Sequence, residues 1–356
     1  MNINAIIISL KYHPGHYSHI KAFFALFHDI GVSCQLVVNN NYRKLDSTIS
    51  NSSLNELLIR RDKKFDYALF LFPHIRNIFE ILKIKLFSKS KIIYVFHEPI
   101  SSYNEFYKSG FSFWGIIKLF VINLVNVITV VLSYKIILPS SKALKIYKEK
   151  YKFWNKNFIS LPLLFEDENM YSSSNTDSKK YISYIGTIAC DHAFDKFCSF
   201  IENTLNNGGL DDLIFLIATG SNLPYNIKSK FERYQSSHRL VIVEGSWLSI
   251  EDINKYFNES LVVWNAYDRS TQSGVLPKAF MFNTPVLGNA QISNEYIIQD
   301  YNGIYLKDNT DFAEISCAVR KISENRDFFC ENSRNTFLSI FFYKKYINEF
   351  SNILKL

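Results

Sequence analysis

The sequence predicts an α/β protein made of two doubly wound, Rossmann-like domains that face each other across a cleft. A length of 356 residues and a mass of 41.5 kDa suit two domains rather than one. Apolar runs typical of buried strands alternate with helical patterns, and this series occurs twice along the chain. A hydrophobic content of 47% with 21% charged residues excludes a disordered chain.

The first domain is predicted over residues 1–165. Its opening run, 3–10, is largely apolar, as in a strand buried on both faces. No basic leader precedes this run, so we expect a strand rather than a signal peptide, and a chain that stays where it is made. A helix is predicted over 19–30, ended by Gly31. Four more strands are predicted at 33–38, 66–72, 91–97 and 134–138.

A polar, Ser/Asn-rich stretch at 166–180 is predicted to be a linker. The second domain follows over 181–336, with helices that include 195–206 and 311–323. The final segment, 337–356, is predicted to form a helix that returns to the first domain. The strands of the second domain are predicted at 181–186, 213–219, 240–244, 260–264, 285–287 and 303–306.

Charge is divided unequally between the two halves of the chain. Residues 1–165 hold 22 Lys and Arg against 9 Asp and Glu, whereas residues 166–356 hold 18 against 24. This contrast indicates domains with different partners. No nucleic-acid-binding motif accompanies the basic half, so nucleic acid is not an expected partner. Five cysteines without a C-x-x-C pair indicate a reduced, cytoplasmic setting.

The most apolar segment, 111–132, is long enough to span a bilayer. Lys118, Asn123 and Asn126 lower its fit, since a central Lys costs roughly 2.5–3.5 kcal/mol on insertion. We favour a buried helix over a helix that partly faces a membrane surface, and both over a true span. Nearby basic residues either confer solubility or attract anionic lipid. These are Lys83, Lys85, Lys89, Lys91, Lys142, Lys145, Lys148, Lys150, Lys152 and Lys156.

Two loops of the first domain follow predicted strands, where doubly wound sheets bind their ligands. The loop KYHPGHYSH contains Gly15 and His16, which would let a ligand approach the backbone at a helix start that favours anions. The loop FHEPISSY contains His97, which could donate a hydrogen bond to a substrate oxygen, and Glu98, which could accept one or act as a base. A plain turn and a buried His capped by Glu are the structural alternatives.

Two loops of the second domain carry further candidates. In YIGTIACDH, Gly186 and Thr187 would present backbone amides to a diphosphate, although no G-x-G-x-x-G or Walker-type loop occurs. In the stretch 264–290, Arg269 and Lys278 place two cations around a Ser-Thr-Gln-Ser-Gly turn before a helix. Two cations with helix-start amides suit a nucleotide diphosphate, whose charge must be balanced as the bond to sugar breaks. A solvated surface turn is the alternative.

In this order, a Gly-containing loop, a His loop, a YIG strand and a helix running into Pro285-Val286 resemble the glycosyltransferases of the GT-B fold, and among them the retaining family 4 group. That group commonly has Glu, seven residues and Glu before the Pro-Val pair. Here Ser270 and Lys278 occupy the two Glu positions, so the roles of the Glu pair do not transfer. A Ser-Gly turn before a Pro-Lys helix start is similar to divergent members that assemble bacterial polysaccharides such as O-antigen. The turn and helix start are formed by Ser273, Gly274, Pro277 and Lys278.

The resemblance implies a hexosyltransferase that moves sugar from a nucleotide-diphosphate donor, held by the second domain, with retention of configuration. The first domain would bind a saccharide acceptor, expected to be lipid-linked, at the inner face of the cytoplasmic membrane. The loop at Gly245, Ser246 and Trp247 would contact the nucleotide base. No Asp-x-Asp motif is present, so no metal cofactor is expected. The alternatives are a nucleotide-sugar epimerase of the same fold and an inactive, transferase-like binding or scaffold protein.

Overall fold

The protein divides into two compact units in a computed structural model. The first unit comprises Met1–Glu166 with Phe341–Leu356, and the second comprises Asp167–Ile340. The structure describes residues 3–59, 65–97, 99–100, 102–108, 110–151, 157–169, 178–235, 238–245, 248–269, 273–292 and 294–355.

The first unit contains a six-stranded sheet in which every pair of neighbours is parallel, in the order β2-β1-β3-β4-β5-β6. The interior strand β1 is apolar from Ala5 to Ile8 and buried from Ala5 to Ser9, as the sequence predicts for a parallel sheet covered on both sides. β6 was not predicted from the sequence. The strands are β1 Asn4–Ser9, β2 Ser33–Val38, β3 Tyr67–Phe70, β4 Lys91–Val95, β5 Lys135–Leu138 and β6 Asn157–Ser160.

Helices of the first unit connect these strands. One core of the sheet takes side chains from α2, α3, α5 and α6, among them Ile81 and Ile84 of α3. Outside that core, α1 packs against the last helix, α13, with the ring centroids of Phe27 and Phe350 5.2 Å apart. The helices are α1 Tyr17–Asp29, α2 Leu54–Ile59, α3 Asn77–Phe87, α4 Tyr103–Lys108, α5 Phe113–Leu132, α6 Ser141–Lys150 and α13 Ile347–Leu354.

The second unit also has a six-stranded parallel sheet, in the order β12-β11-β10-β7-β8-β9. Its strands are β7 Tyr181–Ile185, β8 Ile214–Ala218, β9 Leu240–Val243, β10 Ser260–Asn265, β11 Val286–Asn289 and β12 Gly303–Leu306. Its helices are α7 Phe194–Asn207, α8 Tyr225–Gln235, α9 Ile250–Glu259, α10 Val275–Met281, α11 Phe312–Glu324 and α12 Arg326–Thr336.

A buried lysine lies at the amino-terminal ends of the strands of this second sheet. The Lys179 ammonium donates to the carbonyls of Asn258, Ser260 and Phe282 at 3.1 Å and to the Thr284 hydroxyl at 2.9 Å. Burial lowers the pKa of Lys179 to about 8. Four oxygen acceptors therefore compensate this lysine for the loss of water, and they tie β7 to β10 and to the end of α10.

Two expectations from the sequence are wrong in the structure. The helix α5 forms as predicted, but only 22% of its most apolar stretch is buried, so the buried-helix interpretation fails. Among the described residues α5 alone is long and apolar enough to cross a membrane, a test that core helices and signal sequences also pass. The segment 337–356 is not one helix, because a π-helical turn at Phe337–Phe341 and a 3-10 turn at Tyr343–Tyr346 precede α13.

Gly303 tests how tightly β11 and β12 are packed. A Cβ atom on Gly303 would lie 2.6 Å from the backbone oxygen of Val286, which cannot move without disturbing the strand pair. We expect Gly303→Ala to lower the free energy of unfolding by about 1–3 kcal/mol, measured by denaturant titration. Gly274→Ala is the matched control, since nothing lies within 4 Å of its added methyl group. Equal stabilities of the two variants would contradict this packing.

Candidate functional site

Each sheet has a topological switch point, where neighbouring strands send their connections in opposite directions. In the first unit it lies between β1 and β3, and in the second between β7 and β10. Ligands of doubly wound sheets bind outside the carboxyl ends of the strands at such points. The loops that follow these four strands contain most of the site residues predicted from the sequence, and they are described separately for each unit.

The loop after β1 is held by a buried tyrosine. The Tyr42 hydroxyl donates to the Lys11 carbonyl at 2.9 Å and accepts from the His13 amide at 3.3 Å. The His13 Nδ1 atom then accepts from the amide of Gly15 at 3.2 Å, which shapes a 3-10 turn at Pro14–His16. The loop predicted at the first helix start therefore has a defined conformation, and α1 begins at Tyr17 rather than at 19.

Three rings stack across the switch point of the first unit, and we call them the histidine stack: His16, Phe72 and His97. The ring centroids of His16 and Phe72 are 3.4 Å apart with planes 7° from parallel, and those of Phe72 and His97 are 4.5 Å apart at 15°. His16 follows β1, Phe72 follows β3 and His97 follows β4. Phe72 was missed as a site residue, although its position at the end of a predicted strand was the available signal.

Burial makes these imidazoles poor proton acceptors. It lowers the pKa of His97 to about 3, with the neighbouring His19 adding to the shift, and it holds the pKa of His16 well below its usual range. The Leu71 carbonyl accepts a hydrogen bond from the His97 ring. Because the buried Nε2 atom of His97 has no partner, that bond belongs to Nδ1. His97 therefore offers Nε2 as an acceptor, which differs from the donor role expected from the sequence.

In the second unit the loop after β7 meets the start of α10. Gly186 has a φ of +135°, which favours glycine, and a Cβ there would lie 3.3 Å from Val275. The Val275 amide donates to the Ser273 hydroxyl at 3.2 Å. Gly274 stands between these two residues, and Thr187 follows Gly186 with an exposed side chain. The structure thus brings Gly186 close to the Ser-Gly turn.

Arg269 is held against the loop after β7. Its Nη1 atom lies 3.3 Å from the Asp191 carboxylate, and both side chains are only about a tenth exposed. The Asp191 carbonyl also accepts from the amides of Asp268 and Arg269. Lys196 pairs with Asp268 at 2.7 Å and secures the same loop. Asp191 lies within the motif YIGTIACDH, but its pairing with Arg269 was not predicted from the sequence.

Lys278 points to a different partner. Its Nζ atom lies 2.6 Å from the Glu168 carboxylate, and Glu168 also accepts from Asn254 at 3.0 Å. Lys278 is buried within α10, so it does not extend into bulk solvent. Glu168 lies in the stretch predicted as a linker, and no local pattern connects it with a residue 110 positions away.

Of the remaining predicted site residues, the structure describes Gly245 but not the others. Gly245 lies two residues after β9 and follows Glu244, whose carboxylate accepts from the Leu223 amide at 2.6 Å. Among the described residues, no cluster of three or more His, Cys, Asp or Glu side chains suits a metal ion. Glu98, Ser246 and Trp247 lie outside the described residues, as does Ser270.

Comparison with solved structures identifies the architecture. A sucrose-phosphate synthase from Thermosynechococcus elongatus has a TM-score of 0.75 at 10% identity, covering 99% of this chain and 98% of that one. Anabaena HepE in complex with UDP-glucose has a TM-score of 0.71 at 10% identity, with 99% and 100% covered. An alpha-glucosyltransferase in complex with UDP and DNA has a TM-score of 0.73 at 12% identity, with both chains covered completely.

The chain has the GT-B fold. The predicted fold class of two Rossmann-like α/β domains is therefore confirmed. Comparisons with protein families and with curated proteins give no match for the sequence.

The low pKa of His97 predicts a loss of stability in acid. His97 takes up a proton near pH 6.5 in the unfolded chain and only near pH 3 in the folded chain. Its contribution to the free energy of unfolding is therefore complete above pH 6.5 and is lost as the pH falls towards 3. Between pH 7 and ~4.5, we expect the wild type to lose about 2–3 kcal/mol more unfolding free energy than His97→Gln. Denaturant titrations across pH measure this, with the exposed His28→Gln as control. Parallel curves for wild type and His97→Gln would contradict the assignment.

Proposed function

We propose that the protein transfers a sugar from a nucleotide-diphosphate donor to a saccharide acceptor. The observation that carries this proposal is the end-to-end GT-B likeness to HepE, whose solved complexes contain UDP and UDP-glucose. The co-structure of S. aureus MnaA with UDP, at a TM-score of 0.63 and 14% identity, adds a further UDP-binding chain of similar fold. We further propose a hexosyl donor, retention of configuration and a role in bacterial surface polysaccharide assembly.

The second unit supplies the donor site in this proposal. The diphosphate would lie against the amides of Gly186 and Thr187 and the turn at Ser273 and Gly274. Arg269 would balance its charge, because a guanidinium has five N–H donors and can bind a phosphate while it holds a carboxylate. The loop at Gly245 would contact the base, together with Ser246 and Trp247. Cationic side chains take the place of a metal in this proposal, so no metal cofactor is required.

The first unit supplies the sugar-binding imidazoles. Neutral His16 and His97 suit hydroxyl groups rather than phosphates, and Nε2 of His97 can accept a hydrogen bond from a sugar hydroxyl. A general base works best with a pKa near the working pH, and a value of about 3 leaves His97 far from it. His97 would therefore position a substrate. This role fits a transfer in which the acceptor attacks on the face the diphosphate leaves, without a dedicated protein base.

The acceptor is proposed to be a lipid-linked saccharide at the inner face of the cytoplasmic membrane. The support for it is the first unit's excess of positive charge and the mostly exposed apolar helix α5. Anionic lipid attracts such a basic surface.

Donor binding is the first test. We expect UDP or GDP, added at ~100 times its Kd, to raise the unfolding free energy by about 2.7 kcal/mol, seen as a higher midpoint in thermal denaturation. Arg269→Gln should weaken this stabilisation. Arg239→Gln should not, because Arg239 also pairs with an aspartate but precedes β9, at the amino-terminal end of the strands and away from the loops at their carboxyl ends.

The outcomes of this titration separate the alternatives. No binding of either nucleotide at millimolar concentration would contradict the donor site. Binding without turnover of any donor would favour a scaffold protein. Sugar isomerisation without an added acceptor would favour an epimerase.

The Lys278–Glu168 pair gives a sharper test of Lys278. If Lys278 stabilises the leaving diphosphate, Lys278→Met should lower the transfer rate about 10–1000-fold. The double variant Lys278→Met with Glu168→Gln removes both buried charges, so it should recover stability but not activity. A double variant with wild-type turnover would show that Lys278 serves only as the partner of Glu168.

A further inference from the structure

The helix α5 directs its asparagine and threonine side chains inward, towards the rest of the first unit. The buried Asn126 accepts a hydrogen bond from the Tyr94 hydroxyl at 2.7 Å, and Asn123 accepts one from the Tyr151 hydroxyl at 2.6 Å. Thr129, also buried, donates to the Val125 carbonyl one turn earlier. The asparagines that lowered the predicted fit to a membrane therefore do not face outward.

The outward face of α5 is apolar. Four exposed side chains follow one another at helical spacing, and Trp114, 76% exposed, stands beside them. A helix on the surface of a soluble protein normally shows the reverse pattern, with polar residues outward. The four side chains are Phe113, Ile117, Phe120 and Leu124.

The neighbouring helix α3 repeats this arrangement. Ile81 and Ile84 enter the core of the unit, while Leu86 and Phe87 are 76% and 72% exposed. Ile75, Phe79, Leu82 and Leu86 form an outward apolar row at the same helical spacing. α3 packs directly against α5. We call the exposed apolar residues of the two helices, with Ile75, the α3–α5 surface. Two adjacent rows of this kind mark an interaction site.

Charged residues beside the α3–α5 surface indicate which kind of partner it binds. Within the two helices the charged residues are Glu80, Lys83, Lys85 and Lys118, and Glu80 is already paired with Lys83. Exposed Lys89 lies two residues after the end of α3. An apolar surface with positive charges complements a bilayer that carries anionic headgroups, whereas a second copy would bring like charges together.

We propose that the α3–α5 surface inserts into the interfacial layer of a membrane containing anionic lipid, with both helices lying along the bilayer. The hydrogen bonds of Asn123 and Asn126 to the core keep α5 attached to its unit, so it does not cross the membrane. Lys118 would extend its charged end to the headgroups. This inference deepens the lipid-linked part of the proposed function, but its test needs neither donor nor acceptor.

Flotation with vesicles of phosphatidylglycerol and phosphatidylethanolamine tests the proposal. We expect the wild type to float with the vesicles and to stay partly bound at ~1 M salt, where the Debye length is about 3 Å. Each exposed apolar side chain replaced by serine should lower partitioning roughly 10-fold. One variant, which we call the apolar variant because it removes apolar side chains, combines Leu86→Ser, Phe87→Ser, Trp114→Ser and Phe120→Ser.

Two further variants separate the contribution of the lysine charges from that of the apolar side chains. Lys85→Gln with Lys118→Gln should lose binding only at low salt, by roughly 5-fold per lysine. The matched control replaces the exposed apolar residues Tyr225, Ile298 and Phe328 of the second unit by serine, and it should bind as the wild type does. Thermal denaturation confirms that each variant is folded.

Three results would overturn the proposal. They are no vesicle binding by the wild type, equal binding by the apolar variant, and a wild-type dimer that the apolar variant dissociates without any change in flotation. A fourth result, resistance to alkaline extraction, would overturn it in favour of a helix that spans the membrane. UDP binding by the same preparations keeps the two proposals apart, since failure of flotation with intact UDP binding leaves the transferase function standing.

Discussion

Parallel pairing of the strands is the constraint on which the rest of this structure depends. Both six-stranded sheets are parallel throughout, so each of their interior strands must be covered on two faces and must consist largely of apolar residues. Polar chemistry is then confined to the loops beyond the carboxyl ends. The histidine stack and the Arg269–Asp191 pair both lie there, each at the switch point of its own sheet. One rule of chain topology thus places two chemically different clusters at equivalent positions.

The two clusters differ in the charge of their side chains. In the first unit, burial depresses the pKa of His16 and His97, so the imidazoles are neutral acceptors and donors. In the second unit, the side chains of Arg269 and Lys278 are only about a tenth exposed, and each cation is paired with a carboxylate. Neutral polar groups suit hydroxyls and compensated cations suit phosphates, because exchange of one anion for another avoids the cost of an unpaired buried charge. The proposed transfer of sugar from a nucleotide would use both kinds of group.

The sequence predicted what depends on local patterns. Apolar runs located eleven of the strands that the structure describes, and the Gly186 and Ser273-Gly274 turns were recognised from their residue types. Features that depend on distant contacts were not predicted. Asn123 and Asn126 read as polar interruptions of an apolar helix, because their tyrosine partners lie 28 and 32 residues away. Periodicity cannot tell which face of a helix meets the sheet when both faces are apolar, so the exposure of α5 was missed.

The Lys278–Glu168 pair bears on the difference between this sequence and the Glu-x7-Glu pattern of the glycosyltransferases that it resembles. A lone lysine in place of a buried glutamate would reverse the local charge and leave an uncompensated cation. Here a carboxylate arrives from the segment that opens the second unit, 2.6 Å from the Lys278 ammonium, and the pair is neutral as a whole. Such a pair offers both a donor and an acceptor. A lysine at this position also gives the proposed diphosphate a second cation, which a glutamate could not provide. Under the proposed function, the pair therefore favours a donor site that works with a lysine over one that has lost its activity.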